Sequence, residues 1–401
     1  MASASRPELV DWVGLSLCLF AAMVPVTIAG ANVAWGAVLA ALLARGLSGR
    51  VVPRRAARGP LELPLWVFLA AALLAASLGT APLHSLRHFH QDAHKVWLYY
   101  LLSTALAASP APCVEPALAA GFAVAACVGV GQSLSGLLRA GVLARAHAFV
   151  HPVTFGEQAC LAALGAGCYL ARGTGRSRVL YGLAALFTAA LFLSNTRGAL
   201  LGAAAGAVAA ALAAGARPRR AAAILALAAL AAAAGDLARF DRSVLAEAFG
   251  WREIAAIPDA SGRQDMRLVL WKAAWRMGKD HLWTGVGPNN FPAEFPRYYQ
   301  GVLEGGVRTW GTAHNLYLHH FAERGLAGVA ALAAFLWALV GRAWRRARRR
   351  ADPWNLWALA SCAAFLVMNL TEVALQTEIL WMAVLFIWLR AEALHRAAGL
   401  S

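Results

Sequence analysis

Residues 311–341 read GTAHNLYLHHFAERGLAGVAALAAFLWALVG and decide the class of this protein. A long polar connection ends here, and a run of mostly apolar residues begins that is long enough to cross a bilayer, which takes about 20 residues in a helix. The ionisable residues at this transition are His314, His319, His320, Glu323 and Arg324. Because polar groups at the edge of a membrane are costly unless they are paired or hydrated, this cluster predicts a functional site.

The composition predicts an all-α polytopic membrane protein. Of the 401 residues, 60% are hydrophobic and only 14% are charged, whereas soluble domains carry about 25% charged residues. A spanning helix needs about 20 mostly apolar residues, and fewer where packing within a bundle hides a short one, so we predict about twelve spans. We place them at 11–30, 32–46, 63–80, 94–109, 114–138, 156–172, 178–195, 197–216, 220–237, 315–341, 354–374 and 377–395. Residues 1–237 thus hold nine spans, 238–314 form a large outward loop or cap, and 315–401 hold the last three spans.

The formal net charge of +16 reflects arginines that are concentrated in one set of connections. With a cytoplasmic N-terminus these connections all face inward, which is the positive-inside pattern. Topology therefore explains most of the charge better than a nucleic-acid partner or an anionic ligand does. The inward arginines are Arg45, Arg50, Arg54, Arg55, Arg58, Arg172, Arg176, Arg178, Arg217, Arg219, Arg220, Arg342, Arg345, Arg346, Arg348, Arg349 and Arg350.

The cysteines and carboxylates indicate no metal site. The six cysteines lie mostly in apolar segments without metal-ligand spacing, so we expect small core residues and no disulfide framework. They are Cys18, Cys113, Cys127, Cys160, Cys168 and Cys362. The sequence also has no paired Asp motif of the kind that suits a divalent ion. We therefore expect no metal site.

Two shorter outward loops are rich in histidine and basic residues, against the orientation trend. Lys95 closes one of them, and Arg145 and His151 belong to the other. An anionic ligand bound at this face would account for them. Contacts with solvent or lipid headgroups are the alternative for each residue taken singly.

Three motifs resemble a known family. His314-Asn315, nine residues, Gly325, two residues and Gly328 is similar to the signature of O-antigen ligases. The SNTRG stretch at 194–198 resembles the arginine element of the wider ligase and polymerase superfamily, and RLVLW at 267–271 followed by WTGVGPNNF at 283–291 resembles its outer-loop motif. The family's usual His-Pro dipeptide is absent, and His281 stands two residues before Trp283.

The resemblance implies a GT-C-like glycosyltransferase of the bacterial inner membrane with its active site facing the periplasm. It would transfer O-antigen polysaccharide from undecaprenyl pyrophosphate to a sugar hydroxyl of lipid A-core, among membrane lipids and without nucleic acid, cofactor or metal. An O-antigen polymerase or a protein O-oligosaccharyltransferase would use the same donor with another acceptor. A transporter or flippase for lipid-linked sugars is a remoter alternative, since we find no clear internal repeat.

Arginines suit the leaving group of such a reaction. A guanidinium matches pyrophosphate oxygens through a planar fork and stays charged at any relevant pH. The resemblance assigns this role to Arg197 and Arg267, with Arg263 on the same face if the helix is continuous. Snorkelling to the interface is the alternative for Arg197, and pairing with Asp259 or Asp265 is the alternative for the other two.

His314 is the predicted general base. A sugar hydroxyl is a poor nucleophile, and histidine is the natural side chain to accept its proton. If the following helix starts near Thr312, His314 lies in its first turn, where the helix dipole favours the neutral imidazole. His314 could instead bind the pyrophosphate. Asn315 could orient His314 or contact sugar, or simply cap the helix.

The remaining signature residues have structural interpretations. Glu323 lies about 13 Å further along an α-helix than His314, so we expect it to pair within the bundle. Gly325 and Gly328 are expected to permit close helix packing.

Overall fold

The computed structural model describes residues 11–49, 59, 61–141, 143–173, 177–217, 266–301 and 308–399. These residues form fourteen α-helices and no strand. The helices are α1 (Trp12–Met23), α2 (Ile28–Leu47), α3 (Glu62–Leu78), α4 (Pro82–His88), α5 (His90–Ala108), α6 (Val114–Ala140), α7 (Pro152–Ala171), α8 (Arg178–Leu193), α9 (Arg197–Ala213), α10 (Met266–Asp280), α11 (Phe291–Tyr298), α12 (Leu316–Arg349), α13 (Pro353–Met368) and α14 (Glu378–Ala397).

Eleven of the predicted spans coincide with helices of the described residues, and the span at 220–237 lies outside them. By length and composition α2, α6 and α12 can each cross a membrane, and α1, α3, α8, α9 and α13 are shorter apolar helices. The chain is therefore a helical protein suited to a membrane, while the number of spans stays a prediction. One boundary is wrong: α1 ends at Met23 and α2 starts at Ile28, after a turn in which Thr27 is extended.

The main core surrounds the last helix. Every residue of α14 from Ile379 to Glu392 is buried, and α14 packs against α5 and α13. Close packing of α9 on α13 depends on glycine. A Cβ atom added to Gly206 would lie 2.6 Å from the carbonyl oxygen of Ala360. Small residues of this kind allow helices in a bilayer to approach closely.

The described part of the predicted cap has a core of its own. Apolar side chains of α10 and α11 pack together with residues near the start of α12, including Leu270, Met277, Phe291, Phe295 and Ala322. The helix α10 packs along α12. The cap is thus fixed to the helix that follows His314, while the predicted boundaries of the three domains stay a prediction.

The helix α12 is interrupted at Gly325, where φ is 60° and ψ is −161°. The cap backbone fills this break: Leu326 N donates to Leu282 O over 2.8 Å, and a Cβ on Gly325 would lie 2.4 Å from the carbonyl carbon of Trp283. Gly325 does allow another segment to approach closely, as predicted, but that segment is the backbone of a loop in the cap rather than a second helix. The predicted span at 315–341 is present as helix, but it is broken at Gly325, which adopts a conformation that other residues rarely tolerate.

One cysteine prediction is also wrong. Cys18 of α1 and Cys113, the residue before α6, form a disulfide bond with their Cα atoms 5.8 Å apart. They lie 95 residues apart in sequence, and only the packing of α1 against α6 brings them together. Cys160, Cys168 and Cys362 are buried free thiols, as expected of core residues.

Candidate functional site

His314 lies just before α12 rather than in its first turn. Asn315 is the N-cap, and its Oδ1 accepts a hydrogen bond of 3.0 Å from Leu318 N. His314 has φ of 47°, a left-handed conformation that turns the chain into the helix. The helix therefore starts after His314, close to the predicted start of the span at 315 and not near Thr312, because the side chain that caps the helix is Asn315. The same amide donates through Nδ2 to Leu370 O over 2.9 Å.

Both ring nitrogens of His314 are hydrogen-bonded. Nε2 accepts from the indole Nε1–H of Trp310 over 2.9 Å, and Nδ1 lies 2.9 Å from Oε2 of Glu372. An indole N–H can only donate, so Nε2 must be the accepting nitrogen. In the neutral ring the proton is then on Nδ1, which donates to Glu372. This tautomer leaves the Nε2 lone pair available to an acceptor hydroxyl that displaces Trp310.

Glu372 lies in the connection between α13 and α14, and this connection is hydrogen-bonded to the start of α12. Leu316 N donates to Asn369 O over 2.9 Å and to Glu372 O over 3.1 Å. The Oδ1 of Asn369 accepts from Leu375 N over 3.2 Å. The backbone beside His314 and the backbone carrying Glu372 are thus joined directly. Sequence analysis missed Glu372, and the only signal for it was a short polar interruption between two predicted spans.

Arg267, in the first turn of α10, meets the same carboxylate. Its terminal nitrogen lies 3.3 Å from Oε1 of Glu372, and the Arg267 side chain is 46% exposed. Glu372 therefore contacts a residue of the cap and a residue of the α12 start with its two oxygens. Arg263, Asp259 and Asp265 lie outside the described residues.

Arg197 begins α9 and is exposed, and the turn before it is held by Arg145. The Nε of Arg145 donates to Ser194 O over 2.6 Å, and a terminal nitrogen lies 3.3 Å from Oγ1 of Thr196. Arg145 therefore shapes the turn that presents Arg197.

The start of α9 also touches the connection that carries Glu372. A Cβ atom added to Gly198 would lie 2.4 Å from Oγ1 of Thr371. The start of α9, the first turn of α10 and the start of α12 thus all converge on residues 371–372. This brings Arg267, the predicted base and the backbone next to Arg197 to one connection.

The other two supporting residues have local partners. His151 is the N-cap of α7, and its Nδ1 accepts from Val153 N over 3.3 Å. Lys95 is buried, with Nζ 2.9 Å from Gln91 O and 3.3 Å from Oδ1 of Asp92. A role for either in binding substrate stays a prediction.

Lys95 belongs to a buried ionic network beneath the cap. Asp92 accepts from Arg324 over 2.8 Å, and Arg324 also donates to Glu323 over 3.1 Å. The expected pairing of Glu323 within the bundle is confirmed. Its other oxygen accepts from Phe291 N over 3.3 Å, so the network also holds α11. Charges at this depth are tolerated because they are paired.

Among the described residues, no group of three or more His, Cys, Asp or Glu side chains could hold a metal ion. The site is instead a chain of side chains that runs from Arg267 through Glu372 and His314 to Trp310. Its two ends lie on the cap and on the segment that leads into α12.

Comparison with known families finds a match over part of the chain. A family model described as O-antigen ligase matches residues 182–333, which include Arg197, Arg267 and His314 and exclude Glu372. No curated protein matches the chain. Residues 182–333 of this chain are therefore similar to the O-antigen ligase family.

Proposed function

We propose that this protein is an inner-membrane O-antigen ligase. It transfers O-antigen polysaccharide from undecaprenyl pyrophosphate to a sugar hydroxyl of lipid A-core at the periplasmic face. The observation that carries the proposal is the shared carboxylate of Glu372, which contacts His314 through one oxygen and Arg267 through the other. A base and a phosphate-binding side chain are thereby held side by side, as a direct displacement requires.

In this mechanism His314 acts through Nε2. The acceptor hydroxyl replaces the Trp310 indole at Nε2 and gives up its proton to that nitrogen as its oxygen attacks the anomeric carbon of the donor. The new glycosidic C–O bond forms while the bond to the pyrophosphate oxygen breaks, and the electron pair leaves with the pyrophosphate. A single displacement of this kind inverts the anomeric configuration.

Glu372 supports both halves of the reaction. Its carboxylate faces Nδ1–H of His314 at 2.9 Å, so it stabilises the imidazolium that forms when Nε2 takes the proton. It also positions Arg267 beside the base. We propose that Arg267 and Arg197 neutralise the charge that develops on the leaving pyrophosphate, the work that a divalent ion does in many phosphate-transfer sites.

The test is reconstitution of the purified protein with lipid-linked O-antigen and lipid A-core, without nucleotide and in the presence of EDTA. We expect ligated product from the wild type and a loss of at least about a hundredfold in His314→Ala, since general-base catalysis contributes about 10²–10⁴-fold. His84→Ala is the matched control, an exposed histidine on α4 that lies outside the contacts described above. Full activity in His314→Ala, or activity abolished by EDTA, would contradict the mechanism.

The acceptor separates ligase from its relatives. Product that forms on lipid A-core, rather than as longer lipid-linked polymer or on a protein, supports the ligase. Polymer formed with the donor alone would instead assign the chain to the polymerases of the same superfamily.

A further inference from the structure

A cavity of about 510 Å³ lies between the C-terminal halves of α5 and α14. It is at the end of these helices opposite the candidate site, because their N-terminal ends meet where His94 of α5 lies 3.6 Å from Glu378 of α14, six residues after Glu372. Polar side chains of Glu392 and Arg396 share its wall with apolar Leu106 and Leu389.

Three arginines converge on Glu392 beside this cavity. Arg342 and Arg396 lie 3.1 Å and 2.9 Å from its Oε1, and Arg346 donates to its Oε2. The Arg346 side chain is 1% exposed and Glu392 is 5% exposed, so part of this cluster is shielded from water. The guanidinium of Arg346 also stacks on Trp388 at 4.4 Å from the ring centre.

The cluster carries more positive charge than its carboxylate neutralises. Three guanidinium groups on one carboxylate leave an excess of two positive charges, and none of the three has a second carboxylate partner within the described part of the chain. The two arginines that share Oε1, Arg342 and Arg396, are 22% and 37% exposed, so the excess charge is open to an anion from outside. Arg396 is the arginine that both lines the cavity and is accessible, with 37% of its side chain exposed.

We propose that this cavity binds the headgroup of an anionic phospholipid, with the phosphate on Arg396. Arginine binds phosphate through two parallel hydrogen bonds, and the excess charge around Glu392 attracts it. Free phosphate would satisfy the same charge, but the apolar walls formed by Leu106, Leu389 and Ala393 favour the glycerol and first methylenes of a lipid. The arginine-rich end of α12 belongs to the leaflet predicted to be cytoplasmic, where anionic lipids attract basic segments.

The proposal is tested by native mass spectrometry of the delipidated protein in neutral detergent. Phosphatidylglycerol, phosphatidylethanolamine and inorganic phosphate are titrated separately. We expect phosphatidylglycerol to bind about tenfold more tightly than phosphatidylethanolamine. Arg396→Ala should weaken phosphatidylglycerol binding about tenfold, which is the scale of one charged hydrogen bond. Arg349→Ala, an exposed arginine on the same end of α12 that does not line the cavity, should bind as the wild type does.

A second variant tests the cavity without changing its charge. Ala393→Leu adds apolar volume to the wall, and we expect it to weaken phosphatidylglycerol binding several-fold. If Arg396→Ala does not yield folded protein, Ala393→Leu alone decides whether the cavity binds phosphatidylglycerol. Equal binding of the two lipids by the wild type, equal losses in Arg396→Ala and Arg349→Ala, or unchanged binding in Ala393→Leu would each overturn the proposal. Inorganic phosphate that binds as tightly as phosphatidylglycerol would overturn it in favour of a free anion.

Discussion

Replacing Glu372 with glutamine tests whether the carboxylate drives the His314 base. The substitution keeps the size of the side chain and an acceptor for Nδ1–H, but it removes the charge. An imidazolium and a carboxylate 2.9 Å apart attract by about 6 kcal/mol at an effective dielectric constant of 20, which is an upper bound. Since the two side chains are 26% and 17% exposed, solvent screens part of this attraction.

A hydrogen bond to a charged group contributes about 1.5–3 kcal/mol after this competition with water. That energy corresponds to a fall in kcat of about 10- to 150-fold for Glu372→Gln. The assay is single-turnover ligation with saturating donor and acceptor, so that chemistry is observed rather than binding. Glu378→Gln is the matched control, because Glu378 also pairs with a histidine, His94, yet lies outside the site, and its kcat should stay within about twofold of the wild type, as is usual for exposed pairs.

A double-mutant cycle separates this role from a structural one. If Glu372 acts through His314, adding Glu372→Gln to His314→Ala should cost almost nothing further, because residues that act as one unit are not additive. Wild-type kcat in the single Glu372→Gln variant would refute the reasoning. So would a full additional loss in the double variant.

Three further predictions concern the neighbours of this pair. Trp310→Phe removes the indole donor that occupies Nε2 of His314 while keeping an aromatic ring. In steady-state assays kcat/KM for the acceptor should therefore rise by about fivefold, the scale of one hydrogen bond. A fall in kcat/KM would show that the indole itself binds the acceptor. Arg267→Ala should raise the donor KM about tenfold and Arg267→Lys should restore only part of the loss, while unchanged donor kinetics would remove Arg267 from the site. Gly325→Ala should lower the unfolding temperature in detergent, because its φ of 60° is strained for alanine and its Cβ would meet Trp283. Gly36→Ala is the control and should not lower it, since a Cβ there meets nothing within 4 Å. Equal effects of the two substitutions would mean that the break tolerates a side chain.

The sequence was sufficient to predict the positions of the helices but not the break in α12 at Gly325. Apolar runs predicted the helices of the described chain because burial in lipid requires length and hydrophobicity, which are local properties. The break at Gly325 depends instead on a cap segment some forty residues earlier, whose Leu282 accepts a hydrogen bond from Leu326 N. A glycine within an apolar run is compatible with either an unbroken or a broken helix, so its φ could not be predicted.

The candidate site likewise divides into residues that local motifs could predict and residues that only the fold brings into it. His314 and Arg267 could be found because each stands in a motif whose residues are close in sequence. Glu372 stands 58 residues after His314 and outside the matched segment 182–333. Its proposed role follows only from the hydrogen bonds from Leu316 N, which join the connection between α13 and α14 to the start of α12. The disulfide between Cys18 and Cys113 was missed for the same reason, because pairing across distant helices is not encoded in local spacing.

If His314 is the base and Arg267 binds the donor, as proposed, the carboxylate that they share has a kinetic consequence. Without donor, Arg267 and His314 divide the negative charge of Glu372. A bound pyrophosphate competes for Arg267, and the charge it releases on Glu372 then acts on His314 alone. We therefore expect donor to bind first and to strengthen the engagement of the acceptor, which by linkage must strengthen donor binding equally. An acceptor KM that does not change with donor concentration would contradict this coupling. In Arg267→Ala the coupling should disappear, because the competition that creates it requires the guanidinium. In the proposed mechanism the carboxylate would thus delay activation of the acceptor until a leaving group is in place.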